Sequence, residues 1–291
     1  MGYRDYSVAK GHIVDVTGHG DFTTIAAALT AASSGQTIFI RTGTYTENFT
    51  LKAGVDICAF ECDAQTPNVT IAGKITISNT GNNTISGINL RTNGDYFLET
   101  SGSNSSIIWL KGCYLSCSNN TGIHLTNSNV TIGVLYCFGN ISATGISYYN
   151  VTAGNLSFLY CNLANSGLST TATTHSGGNI NFQYCDMDFP ISTSGTASLV
   201  CEHCIFNTIA LPAVCLTQGG SGANLFTHCY FTSGTSSSVS ISSNAYLVHC
   251  TINSSNAFTL TGAGTMNYAS IAFTGSSSGH NVTIETALVT I

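Results

Sequence analysis

The chain has 291 residues, of which 7% are charged and 43% apolar, and it carries a formal net charge of −6 at pH 7. Its polarity therefore rests on hydroxyls and amides, and no stretch is long and apolar enough to cross a membrane as a helix. All seven Lys and Arg residues fall within the first 111 positions, which argues against a nucleic-acid partner, and only three prolines among many β-branched residues argue against disorder.

Taken in chain order, Gly20 to Ala32 reads as a short amphipathic helix. Thr23 or Thr24 stands at its N-cap, Phe22, Ile25, Ala28, Leu29 and Ala32 share one face, and Gly35 stops it. Thr37–Ile40 makes a strand, and Gly43-Thr44-Tyr45 is a turn into Phe49-Thr50-Leu51. The helix is expected to lie across an open sheet end and cover backbone that would otherwise pair with another chain.

Beyond this start the sequence repeats. Cys113, Cys137, Cys161 and Cys185 recur at a constant 24 residues with apolar neighbours in phase, as in Ile108-x-Leu110-x-x-Cys113-x-Leu115 and Ile180-x-Phe182-x-x-Cys185-x-Met187. The pattern continues with looser spacing through Cys204, Cys229 and Cys250. Such a period is that of a solenoid whose repeats bury their apolar faces on one another. Apolar residues alternate at period two before each Cys, which is the strand period, and then a step of three places a corner between two short strands. Gly, Asn, Ser and Thr fill the segments between, as turns require. The expected fold is an all-β, single-chain parallel β-helix of about 24 residues per coil with a short N-terminal capping helix. Residues 1–36 form the lead-in and cap, and 37–291 form the β-helix. With rungs about 4.8 Å apart, roughly ten coils give a rod on the order of 50 Å long.

Of the twelve cysteines, those of the repeat are expected to be an inward, reduced packing ladder, because equivalent residues on adjacent rungs point the same way instead of facing one another. Cys58 with Cys62, Cys113 with Cys117, and Cys201 with Cys204 are the pairs close enough in sequence for a disulfide. No signal peptide precedes the first strand, which fits folding in a reducing compartment. Directly before the repeat cysteines stand Tyr136, Tyr160 and Tyr184, then His203, His228 and His249. Along an outer corner these rings can form a glycan-binding strip; the alternative is that like residues stack for packing only. Three histidines in a line at rung spacing do not converge on a tetrahedral ion, so no metal is expected, nor any cofactor. Thr-x-Thr pairs lack the constant phase of an ice-binding face, and the many Asn-x-Ser/Thr triplets follow from composition.

The run Gly18-His19-Gly20-Asp21-Phe22-Thr23-Thr24-Ile25, followed by Gln36-Thr37-Ile38-Phe39-Ile40 and Gly43-Thr44-Tyr45-Thr46-Glu47, resembles the start of pectate-lyase-like right-handed β-helix proteins, pectin methylesterases among them. The resemblance covers about 60 residues closely and implies the fold, which lyases, esterases, hydrolases, phage tail spikes and non-catalytic virion proteins share. The methylesterase motif with its two aspartates has its nearest match at Gln183-Tyr184-Cys185-Asp186-Met187-Asp188-Phe189-Pro190, which lacks the glycines, and no arginine follows Arg91. A lyase base beside Asp186 and Asp188 is also missing. Asp186, Asp188 and Glu202 remain as weak candidates for the carboxylate pair of a glycosidase. The ending, His280-Asn281-Val282-Thr283-Ile284 and Ala287-Leu288-Val289-Thr290-Ile291, reads as further strands with an uncovered end, which suggests a neighbouring subunit, self-association as a homotrimer, or a longer polypeptide. Together these features give the expectation of a structural or adhesive fibre module of the phage-tail or virion-surface kind. It would be located on a virion, or alternatively at a cell surface, and would bind cell-surface polysaccharide without catalysis. The alternative is a polysaccharide depolymerase, hydrolase or lyase.

Overall fold

The structure, a computed structural model, describes residues 11–61, 67–78, 80–102, 105–166, 173–208, 216–218, 221–222, 224–233, 239–241, 245–254, 259–260, 266–269 and 272–274. It is a right-handed parallel β-helix. Each coil visits a first, a second and a third sheet in turn, and among the described residues these hold twelve, eleven and ten strands. Every pairing is parallel and joins a residue to its counterpart one coil on, as in Ile108 to Ile132 to Leu156 to Ile180. The period-two pattern of the sequence is the inside–outside alternation of these strands. Ile108, Leu110, Ile132, Val134, Leu156, Phe158, Ile180 and Phe182 are all fully or almost fully buried. Like stacks on like along this core: the Phe158 and Phe182 rings lie 4.9 Å apart at 10°, and Phe206 on Phe231 repeats the arrangement.

The helix spans Ile25–Ala31, with Thr24 as N-cap. It ends earlier than Gly35 because Ala32 already leaves helical geometry, and the Lys52 ammonium from the coil below binds the Thr30 and Ala32 carbonyls. At the other end, the Glu47 carboxylate accepts the Ile25 and Ala26 N–H groups at 2.8 and 3.0 Å. A carboxylate thus meets the positive end of the helix and an ammonium the negative end. Gly43–Tyr45, expected as a turn, is a strand paired with Val69–Ile71. The parallel ladder and the inward Tyr45, whose hydroxyl donates to the Arg41 carbonyl at 2.9 Å, override the local Gly-Thr turn preference. The strand Gly11–Val14 pairs with Thr37–Ile40 in the first sheet. The C-terminal strands expected over 280–284 and 287–291 lie outside the described residues.

The corner between the first and second sheets repeats one device. The ring residue before each column cysteine sits in the left-handed region, with φ between 52 and 54° at Tyr136, Tyr160, Tyr184, His203, His228 and His249. Its N–H reaches the next rung, as from Tyr136 to the Leu159 carbonyl at 3.0 Å and from Tyr184 to the Glu202 carbonyl at 2.9 Å. The cysteine that follows turns its thiol back to the carbonyl two residues earlier: Cys137 to Leu135, Cys161 to Leu159, Cys185 to Gln183, Cys204 to Glu202, Cys229 to Thr227 and Cys250 to Val248, all between 3.3 and 3.5 Å. A side chain that is small, apolar and yet a weak donor suits the inside of such a bend. The ten described cysteines are unpaired, Cys113, Cys117, Cys201 and Cys204 included, and Cys62 lies outside the described residues. Burial pushes the Cys117 and Cys201 thiols up from the usual range. Thiol titration of denatured, unreduced protein should accordingly find at least those ten groups reactive, and a count near zero would refute the unpaired arrangement.

Left-handed backbone costs a non-glycine residue about 1 kcal/mol, and an offset ring stack returns about as much per contact. In the two coils before Tyr136 the same corner uses Gly87 and Gly112, at φ 68 and 57°. Replacing Tyr160 should therefore separate the two terms. Tyr160→Ala loses the stacking and keeps the strain, Tyr160→Gly loses the stacking only, and denaturant melts should rank wild type above Gly and Gly above Ala, the last step by about 1 kcal/mol.

His175 lies fully buried on the third sheet, its Nδ1 without a partner and its Nε2 3.3 Å from the Gly178 carbonyl. Burial pushes its pKa down to about 4 from 6.5. The imidazole is thus neutral in the fold and protonates more readily when unfolded. Its contribution is complete above pH 6.5 and is lost as the pH falls toward 4, by roughly 3 kcal/mol. Denaturant melts at pH 7 and pH 4.5 should show His175→Gln losing less stability between the two than wild type.

Candidate functional site

On the outer face of the third sheet, successive coils bring together five side chains far apart in sequence. Glu99, in the strand Leu98–Thr100, pairs in register with Thr76 on one side and His124 on the other. Lys74 enters just before the strand Ile75–Ile77, its N–H fixed by the Asn48 side chain at 2.7 Å. Asp95 and Tyr96 come from the turn before Leu98, where the Asp95 carboxylate accepts the Tyr96 N–H at 2.8 Å. The Lys74 ammonium lies 2.8 Å from Asp95 and 3.0 Å from Glu99. The other Glu99 oxygen is 3.3 Å from His124 Nδ1, and the His124 ring stacks on Tyr96 at 4.4 Å. None of the Lys74, Asp95, Glu99 and His124 side chains is fully buried, so the cluster is open to a ligand.

The charges tune one another. Hydrogen bonds to Asp95 and then Glu99 raise the Lys74 pKa, so the ammonium stays charged, and Lys74 in turn holds the Asp95 carboxyl below its usual range. Because one nitrogen touches both carboxylates, the two acids stand no more than about 6 Å apart, close to the separation of a retaining glycosidase pair. The arrangement joins an anionic carboxylate, a second carboxylate in contact with an imidazole, and a fixed cation. That set can stabilise a developing positive charge at a sugar ring and exchange a proton with a leaving oxygen.

The residues singled out in the sequence lie elsewhere. Asp186 and Asp188 flank the buried Met187 and point outward from the second sheet. Burial raises both carboxyls, and Asp186 further raises Asp188. Glu202 pairs in register with Gln183 on the first sheet, takes a 3.1 Å hydrogen bond from its amide, and lies 4.0 Å from His203. The corner thus separates Glu202 from Asp186 and Asp188. The rings of Tyr136, Tyr160, Tyr184, His203, His228 and His249 form one continuous stack, with centroids 4.6 to 5.2 Å apart and adjacent planes within 26°. Within that stack the ring faces lie on each other, and the edges, hydroxyls and ring nitrogens face solvent. Among the described residues no group of three or more His, Cys, Asp or Glu side chains is placed to hold a metal ion.

The cluster had a signal in the sequence, since Lys74, Glu99 and His124 are spaced 25 residues apart. The cysteine column has a 24-residue phase from Cys113 to Cys185, and this cluster stands before and beside it.

No family model and no curated protein matches the sequence. Among solved structures the chain is similar to a pectin methylesterase from carrot, at 12% identity over 93% of this chain and 89% of that one, with a TM-score of 0.43. It is also similar to the pectate lyase Pel9A, at 12% identity over 88% of this chain and 76% of that one, with a TM-score of 0.27. Likenesses this distant carry no mechanism across. Both proteins are nonetheless enzymes by name, and neither is named as a virion component. The expectations of a non-catalytic phage or virion fibre, of a virion location and of no enzyme activity are corrected accordingly. Among the described residues no Lys or Arg pairs with Asp186 or Asp188, whereas Lys74 stands between Asp95 and Glu99.

Proposed function

We propose that the chain is a polysaccharide-cleaving enzyme whose reaction centre is the group of Lys74, Asp95, Tyr96, Glu99 and His124. The observation that carries this reading is the Lys74 ammonium held within 3.0 Å of two carboxylates, one of them also touching an imidazole, on an open face of a rigid sheet. In a hydrolysis, Asp95, kept anionic by Lys74, faces the developing oxocarbenium ion, while Glu99 with His124 supplies and recovers the proton of the leaving oxygen. Tyr96, stacked on His124, fixes the imidazole plane and offers a ring edge to the sugar. The ring ladder runs along a different edge of the rod and offers the hydroxyls and nitrogens of Tyr136, Tyr160, Tyr184, His203, His228 and His249 to glycan hydroxyls.

A second assignment of the same activity uses Asp186 and Asp188, favoured by the upward shift that burial gives both and that the Asp186 charge adds to at Asp188. Variants separate the two. Reducing ends released from a panel of soluble polysaccharides should fall roughly 100-fold in Glu99→Gln and in Lys74→Met, with thermal midpoints held, and should persist in Asp186→Asn. Ultraviolet absorbance from an unsaturated product would mark elimination in place of hydrolysis. Full turnover in Glu99→Gln, or no cleavage of any polysaccharide by wild type, would refute the assignment.

A further inference from the structure

The ladder has an end. Tyr136 is its first ring, and the equivalent corner one coil earlier is Gly112, which has the same left-handed backbone and no side chain. Tyr160 and Tyr184 are covered by rings on both sides and are each 46% exposed, whereas Tyr136 is 56% exposed. One face of Tyr136 is therefore open above Gly112.

Beside that opening, on the outer face of the first sheet, lies Trp109. Its indole rests on Gly133, where any β-carbon would collide with the ring. The ring is 39% exposed, and the Lys111 ammonium stands over it, 5.8 Å from the centroid. Lys111 pairs in register with Leu135, the residue before Tyr136, so Trp109, Lys111 and Tyr136 fall within a patch on the order of 10 Å across. Among the described residues Lys111 makes no ion pair with a carboxylate, unlike Lys74 and Arg41.

We infer that Trp109, Lys111 and Tyr136 form a saccharide-binding platform separate from the reaction centre, seating about two pyranose units. The open face of Tyr136 receives the C–H face of one sugar, the exposed part of the Trp109 indole packs against the next, and the Lys111 ammonium beside the indole binds an oxygen between them. The patch is too narrow for a protein interface. The sugar oxygen that meets Lys111 is a hydroxyl in a neutral glycan and a carboxylate in a uronate, and binding to the two kinds of polymer distinguishes these sources. The inference rests on the polysaccharide reading for its ligand class and on none of the catalytic assignments.

The chain has one tryptophan, so its fluorescence reports on this platform alone. Wild-type protein is titrated with soluble β-glucan, xylan and polygalacturonate, and at least one should change the emission saturably. Tyr136→Gly, which the backbone at Gly112 shows to be comfortable at this corner, should weaken that binding at least tenfold. Lys111→Met should weaken it several-fold and abolish its salt dependence if polygalacturonate is the ligand. Glu99→Gln should leave it intact, so cleavage with no fluorescence change overturns the platform while the reaction centre stands, and a saturable change in a protein without cleavage supports the platform while the reaction centre falls. No saturable change with any of the three polymers, or binding undiminished in Tyr136→Gly, overturns the inference.

Discussion

Parallel pairing at a fixed rung distance governs this molecule. Each residue's nearest neighbour off its own strand is the residue one coil away, pointing the same way about 4.8 Å along the rod. Side chains therefore meet as columns of equivalents, and a column is stable only if its members tolerate their own kind. Phe on Phe, thiol beside thiol and ring on ring satisfy that condition. Like charges do not, which accounts for a chain that is only 7% charged. Where charges do meet on adjacent rungs they are of opposite sign, as Lys74 is to Glu99. Lys74, Glu99 and His124 occupy successive coils with the carboxylate in the middle, and Asp95 closes the set from the turn.

The corner shows how the same constraint sets local chemistry. A sharp bend requires left-handed backbone, which glycine supplies at Gly87 and Gly112 without strain. From position 136 onward rings take that place, and the stack offsets the conformational cost only because every neighbouring coil carries a ring too. The cysteines complete the bend from inside. A thiol returns a weak hydrogen bond to the carbonyl two residues back, which a valine of similar bulk cannot do. The column thus holds the turn as well as filling space.

The parts legible in the sequence are those fixed by repetition. The inward alternation, the corner before each cysteine and the ring column follow from spacing and composition, because identical environments select identical residues. Thr24 and the apolar face of the helix were legible for a related reason, as local rules suffice for them. The run to Ala32 likewise matches the C-cap at Ala32, whereas the Lys52 ammonium that binds the last carbonyls comes from another coil and has no local signal. The Lys74–Asp95–Glu99–His124 cluster was hidden for the opposite reason to the ladder: its members differ from one another, so no column of like residues announces them. A 25-residue spacing of Lys, Glu and His is visible once the coil length is known, yet Asp95 and Tyr96 belong to a turn and carry no phase at all. Single acids in a stretch without basic residues, such as Asp186 and Glu202, drew attention because they were conspicuous rather than because they were partnered.

Stacking also limits what the ladder can offer. A ring that pairs both its faces has only its edge left for a ligand, so a longer ladder adds stability and edge hydrogen bonds without adding sugar-stacking surface. Surface of that kind appears where the repetition breaks. Gly112 in place of a ring uncovers Tyr136, and Gly133 in place of a side chain seats Trp109 flat on the sheet. In a solenoid built from columns of equivalents, binding and chemistry belong at the breaks in the pattern. Here the breaks cluster in the first half of the sequence, which also holds every Lys and Arg of the chain.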